Sequence, residues 1–243
     1  MSAGPAPDPG RPPLLIACAL GIERFALRGG DADAAGPVTV LRTGMGPQAA
    51  ERAVARALSG DSAPAVPTAV LATGFCAGLV PGMHPGDLVV ADETRDPDGR
   101  TVCAGTAFLA DALAELVPPG PRRGPRRTVH IGPLAGSSHV VRGAERAALH
   151  TTGAIAVDME SAATLRCAAR RGARPVAAVR VVVDAPEHEL VRIGTLRGGI
   201  SAFRVLRTVL PAFFDWHRNA MLPGGELDGH ASPTDHPGRD VSL

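Results

Sequence analysis

The chain has 243 residues, 45% of them hydrophobic, and its 25 basic and 24 acidic residues leave a formal net charge of +1. That length suits one domain with one sizeable core, and the near balance of charge leaves no electrostatic footprint for nucleic acid or for an anionic membrane. Every basic residue other than His is Arg, which excludes Schiff-base chemistry and a P-loop lysine, so a site has to be built from carboxylates, His and Arg.

Residues 1–12 carry Pro5, Pro7, Pro9 and Pro12 among small residues, and 221–243 are rich in Gly, Pro, Asp and His. Both stretches are expected to be disordered tails around a single domain at 13–220. The first apolar run, 14–20, is far shorter than the roughly 20 residues of a spanning helix, and no basic region precedes it, so a soluble cytoplasmic protein is expected. Further short apolar runs at 38–41, 69–72, 88–91, 129–131, 154–157 and 176–183 read as strands buried on both faces. Helical patterns separate them at 47–58, 106–117, 145–150, 160–171 and 200–217. The alternation predicts an α/β fold: three layers, with a mixed, mostly parallel central sheet flanked by helices. The Pro/Arg/Gly segment 118–127 reads as an exposed loop. Cys18, Cys76, Cys103 and Cys167 are widely spaced and suit buried free thiols, and no His lies at a metal-ligand spacing from acids or cysteines, so no metal and no cofactor are expected.

Four constellations at predicted strand ends can carry chemistry. In Thr43-Gly44-Met45-Gly46-Pro47, Gly44 and Gly46 let the backbone turn between a strand and a helix and aim amides at an anion or hydroxyl. In the second, Asp158, Met159 and Glu160 open a helix; the acids there can simply complement the helix dipole, but beyond a strand end Glu160 can also accept both hydroxyls of a ribose. The third is the apolar run from Arg180 to Asp184, whose final acid is either a turn residue or a group delivered to the same rim. Glu23, just after the first strand, is either an exposed helix-start acid or a fourth site carboxylate.

These elements, in this order, resemble the purine nucleoside phosphorylase and methylthioadenosine/S-adenosylhomocysteine nucleosidase superfamily. Thr73-Gly74-Phe75-Cys76-Ala77-Gly78-Leu79 and the later Pro85-Gly86-Asp87 look like its glycine-rich strand end and return strand. The resemblance implies a nucleoside phosphorylase-like fold and cleavage of an N-glycosidic bond. Asp184 would protonate the purine ring and Glu23 would activate water. Glu160 would hold the ribose hydroxyls, Met159 would pack under the sugar, and the backbone around Val140 would pair with the base. Asp158, Phe75, Gly44, Gly46 and Arg180 complete the implied substrate site. His139 stands where nucleosidases place a stacking Phe, which changes the polarity of that wall; the alternative is a plain surface His.

The attacking species decides between hydrolysis and phosphorolysis. The resemblance puts a carboxylate, Glu23, where phosphorylases keep a phosphate-binding Arg, and the second such stretch, Ala72-Thr73-Gly74, contains no Arg, so hydrolysis is expected; Arg24 and Arg42 leave phosphate binding open. The runs 132–138, 156–161 and 180–184 look most like the branch associated with hopanoid biosynthesis, which implies removal of adenine from adenosylhopane to leave ribosylhopane. An apolar opening for such a tail could come from Leu190, Val191 and Ile193 together with Phe203, Phe213, Phe214 and Trp216, although the helical spacing of Phe203, Leu206, Leu210 and Phe213 suits the core better. The partners implied are an adenine nucleoside, at most transient membrane contact, and further copies of the chain in a homo-oligomer. The alternatives are a general methylthioadenosine/S-adenosylhomocysteine nucleosidase, a phosphorylase using phosphate as co-substrate, and a non-catalytic nucleoside binder.

Overall fold

A computed structural model describes residues 12–28, 34, 36–59, 67–116, 127–185 and 195–220. The two expected tails and the 118–127 loop lie almost wholly outside the described residues, as do Leu190, Val191 and Ile193. The strands are β1 (Leu14–Cys18), β2 (Val38–Arg42), β3 (Ala69–Gly78), β4 (Leu88–Asp96), β5 (Gly99–Val102), β6 (Val129–Gly136), β7 (Ala156–Asp158) and β8 (Val176–Asp184). The helices are α1 (Gly21–Ala26), α2 (Pro47–Ala57), α3 (Thr106–Leu116), α4 (Gly143–Thr151), α5 (Ser161–Ala169), α6 (Thr195–Thr208) and α7 (Leu210–Ala220).

One eight-stranded sheet runs β2-β1-β3-β7-β6-β4-β5, and β8 pairs with both β3 and β4. The strands β3, β7, β6, β4 and β8 therefore close into a ring, which removes most exposed edges. The sheet is mixed as expected: β1–β2, β1–β3, β3–β8, β4–β6 and β6–β7 are parallel, while β3–β7, β4–β5 and β4–β8 are antiparallel.

Strand periodicity sorts the core into two layers. Leu14 and Ile16 of β1, Leu71 of β3 and Val179 and Val181 of β8 face a cluster with Leu109, Leu113, Leu206, Phe213 and Trp216 from α3, α6 and α7. Their neighbours Leu15, Val70, Ala72, Ala178 and Val182 face the opposite side, against Val54 of α2 and Leu165 of α5. Both faces are covered, which is why these strands read as continuous apolar runs. Phe213, Phe214 and Trp216 are core residues, and Phe203 stacks on Phe25 with ring centroids 6.3 Å apart.

Three expectations are corrected. The β2 strand lies at the sheet edge and is only partly covered, with Thr39 and Arg42 exposed, so it is not buried on both faces. The single helix expected over 200–217 is two helices broken at Val209, because Pro211 cannot donate a helical hydrogen bond and disfavours helical backbone just before it. The short strand β5 went unassigned; it returns from β4 through Pro97 and Asp98, with Asp96 paired to Gly99.

Candidate active site

At the ends of β1, β3, β7 and β8, Glu23, Asp158 and Glu160 gather around Arg180, while Asp184 pairs with Arg146. Glu23 sits in the first turn of α1 and is 2% exposed, so the exposed helix-start reading does not hold. Its Oε2 accepts the backbone N–H groups of Ala19 at 2.9 Å and Leu20 at 2.8 Å, satisfying amides that the start of α1 would leave without partners. Its Oε1 accepts the N–H of Phe75 at 2.9 Å, which joins α1 to the glycine-rich end of β3.

Gly74 makes this approach possible. It has φ of +131°, and a Cβ there would lie 2.5 Å from Oε1 of Glu23 and 2.8 Å from Nη1 of Arg180. Only glycine has both the conformational freedom and the empty volume.

Arg180, from β8, is the cation of the cluster and is 1% exposed. Its Nε faces Oδ2 of Asp158 at 2.6 Å and donates to Oγ of Ser161 at 2.9 Å. Asp158 also accepts from the Ser161 hydroxyl at 2.6 Å and the Ser161 amide at 3.1 Å, so its oxygens are spent on the turn and on fixing Arg180. Burial works against the charge of Arg180, but the adjacent Asp158, Glu160 and Glu23 outweigh it and hold the guanidinium protonated. Its Nη1 has no partner among the described residues.

Glu160 occupies the N-cap position of α5 without a side-chain capping bond, and its Oε1 instead accepts the Gly46 N–H at 2.8 Å. The amide of the Thr43–Pro47 turn is thus aimed at an anion, and that anion is the chain's own. Burial raises the Glu160 carboxyl above its ordinary range, as do Asp158 and Glu23, while Arg180 and the Gly46 amide pull it down.

Asp184 ends β8 beside Ala77 and is 8% exposed. Its Oδ2 accepts from Nη2 of Arg146 at 2.7 Å. Arg146 projects from α4, is 5% exposed, and has no place among the sequence candidates: a lone Arg in a helical pattern gives no signal of its partner.

Met159 is half-buried and lines a cavity of about 620 Å³ together with Ser137, Ser138, His139, Ala162 and Arg95; the cavity reaches this side of the cluster and stops short of Glu23 and Asp184. His139 is exposed and pairs with Glu145 at 2.9 Å, and Val140 is 59% exposed. Arg24 and Arg42, the residues that left phosphate binding open, are both exposed. Among the described residues no group of three or more His, Cys, Asp or Glu side chains is arranged to hold a metal ion, and no helix is long and apolar enough to cross a membrane.

The profile of the Phosphorylase superfamily matches residues 23–210, more than three quarters of the chain, and the chain belongs to that superfamily. Comparison with curated proteins gave no match. Among solved structures, a putative methylthioadenosine nucleosidase from Weissella paramesenteroides matches with a TM-score of 0.66 at 16% identity, over 84% of this chain and 97% of that one. The S-adenosylhomocysteine nucleosidase of Streptococcus pyogenes matches at 0.64 and 17% identity, over 88% and 99% of the two chains. A futalosine hydrolase mutant of Helicobacter pylori matches at 0.64 and 14%, over 84% and 99%. At these identities the likeness is one of fold, and it agrees with the mixed sheet flanked by helices described above.

Proposed function

We propose that this chain hydrolyses the N-glycosidic bond of an adenine nucleoside. One observation carries the reading: Glu23, Asp158 and Glu160 surround a single buried guanidinium, Arg180, at the mouth of the strand ends. A site with that excess of negative charge favours a developing oxocarbenium sugar and a neutral attacking water, and it repels phosphate. The exposed positions of Arg24 and Arg42 support the same choice.

In the reaction, Glu23 takes a proton from a water molecule as the water oxygen bonds to C1′. The C1′–N9 bond breaks, its electron pair leaves with the base, and the Asp184 carboxyl, on the base side, serves as the acid that protonates the purine ring. Glu160 accepts hydrogen bonds from the ribose hydroxyls and Met159 packs under the sugar, with Phe75, Gly44 and Gly46 around them. Val140 and His139 belong to the base.

The finer reading is adenosylhopane as substrate and ribosylhopane plus adenine as products, in a cytoplasmic homo-oligomer that touches the membrane at most transiently. Ile22, Phe25 and Met45 are 54%, 61% and 63% exposed and flank Glu23 and Gly46 in the chain, an apolar rim suited to a large 5′ substituent. A methylthioadenosine/S-adenosylhomocysteine nucleosidase is the second reading, supported by the likeness in fold to a putative methylthioadenosine nucleosidase and an S-adenosylhomocysteine nucleosidase. Adenine release from adenosylhopane and from methylthioadenosine, each with and without phosphate, tests both. Phosphate-independent release from the hopanoid with little from the small nucleoside is expected; strict dependence on phosphate would sink hydrolysis, and the reverse substrate preference would sink the hopanoid reading.

A further inference from the structure

A net charge near zero is blind to which face carries which sign, and in this fold the signs are sorted. In α1, Glu23 and Ala26 turn inward, which leaves Ile22, Arg24 and Phe25 in solvent, with exposed Arg28 just past the helix end. Arg42 stands in register with Cys18, where β1 runs on toward α1, and exposed Met45 follows in the next turn. The α1 helix packs against β2 and α6. There Phe25 stacks on Phe203, and Arg207, one helical turn further along α6, is exposed together with Arg204. Every exposed charged side chain described on α1, β2 and α6 is therefore an arginine. Among the described residues none of these arginines lies within salt-bridge distance of a carboxylate, whereas Arg95, Arg100, Arg146, Arg166 and Arg180 each do. The exposed acids Asp92, Asp98, Asp111 and Glu115 lie on β4, on the turn after it and on α3, toward the other end of the strand order from β1 and β2.

We propose that this face docks on an anionic phospholipid surface, with Ile22, Phe25 and Met45 entering the headgroup region and Arg24, Arg28, Arg42 and Arg207 meeting the lipid phosphates. The proposal rests on the membrane contact in the reading above and deepens it by naming the face and the charge of the lipid. Single apolar side chains set among cations suit the boundary between water and lipid: the apolar groups gain by leaving water, and each guanidinium meets phosphate oxygens through paired N–H donors. A nucleic acid would satisfy the arginines but leave Ile22 and Met45 in water, and a second copy of the chain meeting this face with its own would set arginine against arginine. The orientation matters for the site. Ile22 and Arg24 flank Glu23 in the chain, and Met45 lies between Gly44 and Gly46, whose amide holds Glu160, so the docked face turns this side of the carboxylate cluster toward the bilayer. A nucleoside with an apolar 5′ substituent then reaches Glu23 with that substituent still shielded from water.

The test is co-sedimentation of the full chain with vesicles of phosphatidylcholine alone and of phosphatidylcholine and phosphatidylserine in equal parts, at low and at high salt. The chain is expected to bind the mixed vesicles, to leave the neutral ones largely in solution, and to be released by salt, which screens charges beyond about 10 Å already at about 0.1 M. Each arginine at an anionic surface multiplies partitioning by about 5-fold, so a variant carrying Arg24→Gln, Arg28→Gln and Arg207→Gln together should bind about 100-fold more weakly. The same three positions changed to Lys keep the charge and should bind close to wild type, while Phe25→Ser should weaken binding through the apolar contact alone. Equal binding of wild type to both vesicles, no binding to either, or unchanged binding by the Gln variant overturns the proposal. Binding of a single-stranded RNA oligomer without binding of vesicles, or a dimer in solution that the Gln variant alters while vesicles stay unbound, gives the face to another partner and equally overturns it. All these variants keep Glu23, Glu160 and Asp184, so cleavage of methylthioadenosine in solution reports on the reaction separately. Vesicle binding without cleavage upholds the docking face and refutes the reaction, and cleavage without vesicle binding refutes the docking face alone.

Discussion

Replacing Gly74 by Ala tests the closest packing in the site. The backbone there has φ of +131°, a region that costs an L-residue about 1–3 kcal/mol. The new Cβ would stand 2.5 Å from Oε1 of Glu23, so that carboxylate has to retreat. Glu23 has little room to do so, since its oxygens accept from Ala19, Leu20 and Phe75 at 2.8–2.9 Å. Giving up one of these charge-assisted bonds adds about 1.5–3 kcal/mol. The sum, about 2.5–6 kcal/mol, corresponds to a fall in melting temperature of roughly 5–24 °C for a chain of this size. Turnover should fall by about 100-fold or more because the misplaced group is the proposed base. Gly82→Ala is the control: φ is +82° but nothing lies within 4 Å of its Cβ, so it incurs the backbone term alone and leaves turnover intact. Thermal melts and adenine release measured on both variants decide the matter. If Gly74→Ala melts within about 3 °C of Gly82→Ala and cleaves normally, the tight contact between Gly74 and Glu23 is not a constraint and the argument fails.

Glu160→Gln should separate stability from activity. Because the folded carboxyl titrates above the ordinary value of 4.5, wild-type stability is full below that pH and is lost as pH rises toward the folded value. The Gln variant keeps the acceptor for the Gly46 amide without the charge, so it should melt higher than wild type at pH 7, match it near pH 4, and cleave nucleoside at least about 10-fold more slowly; a lower melting temperature at pH 7 would contradict the charge argument. His217 is fully buried in α7, and burial, helped by Arg218, pushes it down to about 4 from 6.5. The unfolded chain therefore takes up a proton below pH 6.5 that the folded chain refuses until about pH 4, a loss approaching about 1.4 kcal/mol per pH unit. Melts of His217→Leu between pH 4 and 7 should show a flatter acid limb, and an unaltered slope would place the acid sensitivity elsewhere.

The strand ends were legible because burial on both faces leaves long apolar runs, and each run stops where a polar residue reaches the rim, as at Asp158 and Asp184. Chain order placed Glu23, Gly74, Glu160 and Asp184 in one superfamily pattern, and the fold brings their strand ends together. Exposure could not be read in the same way: Glu23 looks like any first-turn acid until Phe75, 52 residues away, donates to it. Arg146 escaped for a related reason, since its partner lies 38 residues on and an Arg on a mostly exposed helix is ordinary. The β5 strand had a signal, the Asp-Pro-Asp-Gly turn at 96–99, but its own residues are polar and partly exposed, so hydrophobic periodicity passed over it.

The four cysteines are all free and buried, and burial lifts the thiols of Cys18 and Cys103 to about 12. Thiolate is the reactive form, so maleimides and mild oxidants should find little to attack in the folded chain, and the absence of lysine removes side-chain amines as targets as well. A cysteine introduced at exposed Arg171 would accordingly take up a fluorophore or spin label at one address in an otherwise native background, without first stripping the core of its own sulfur.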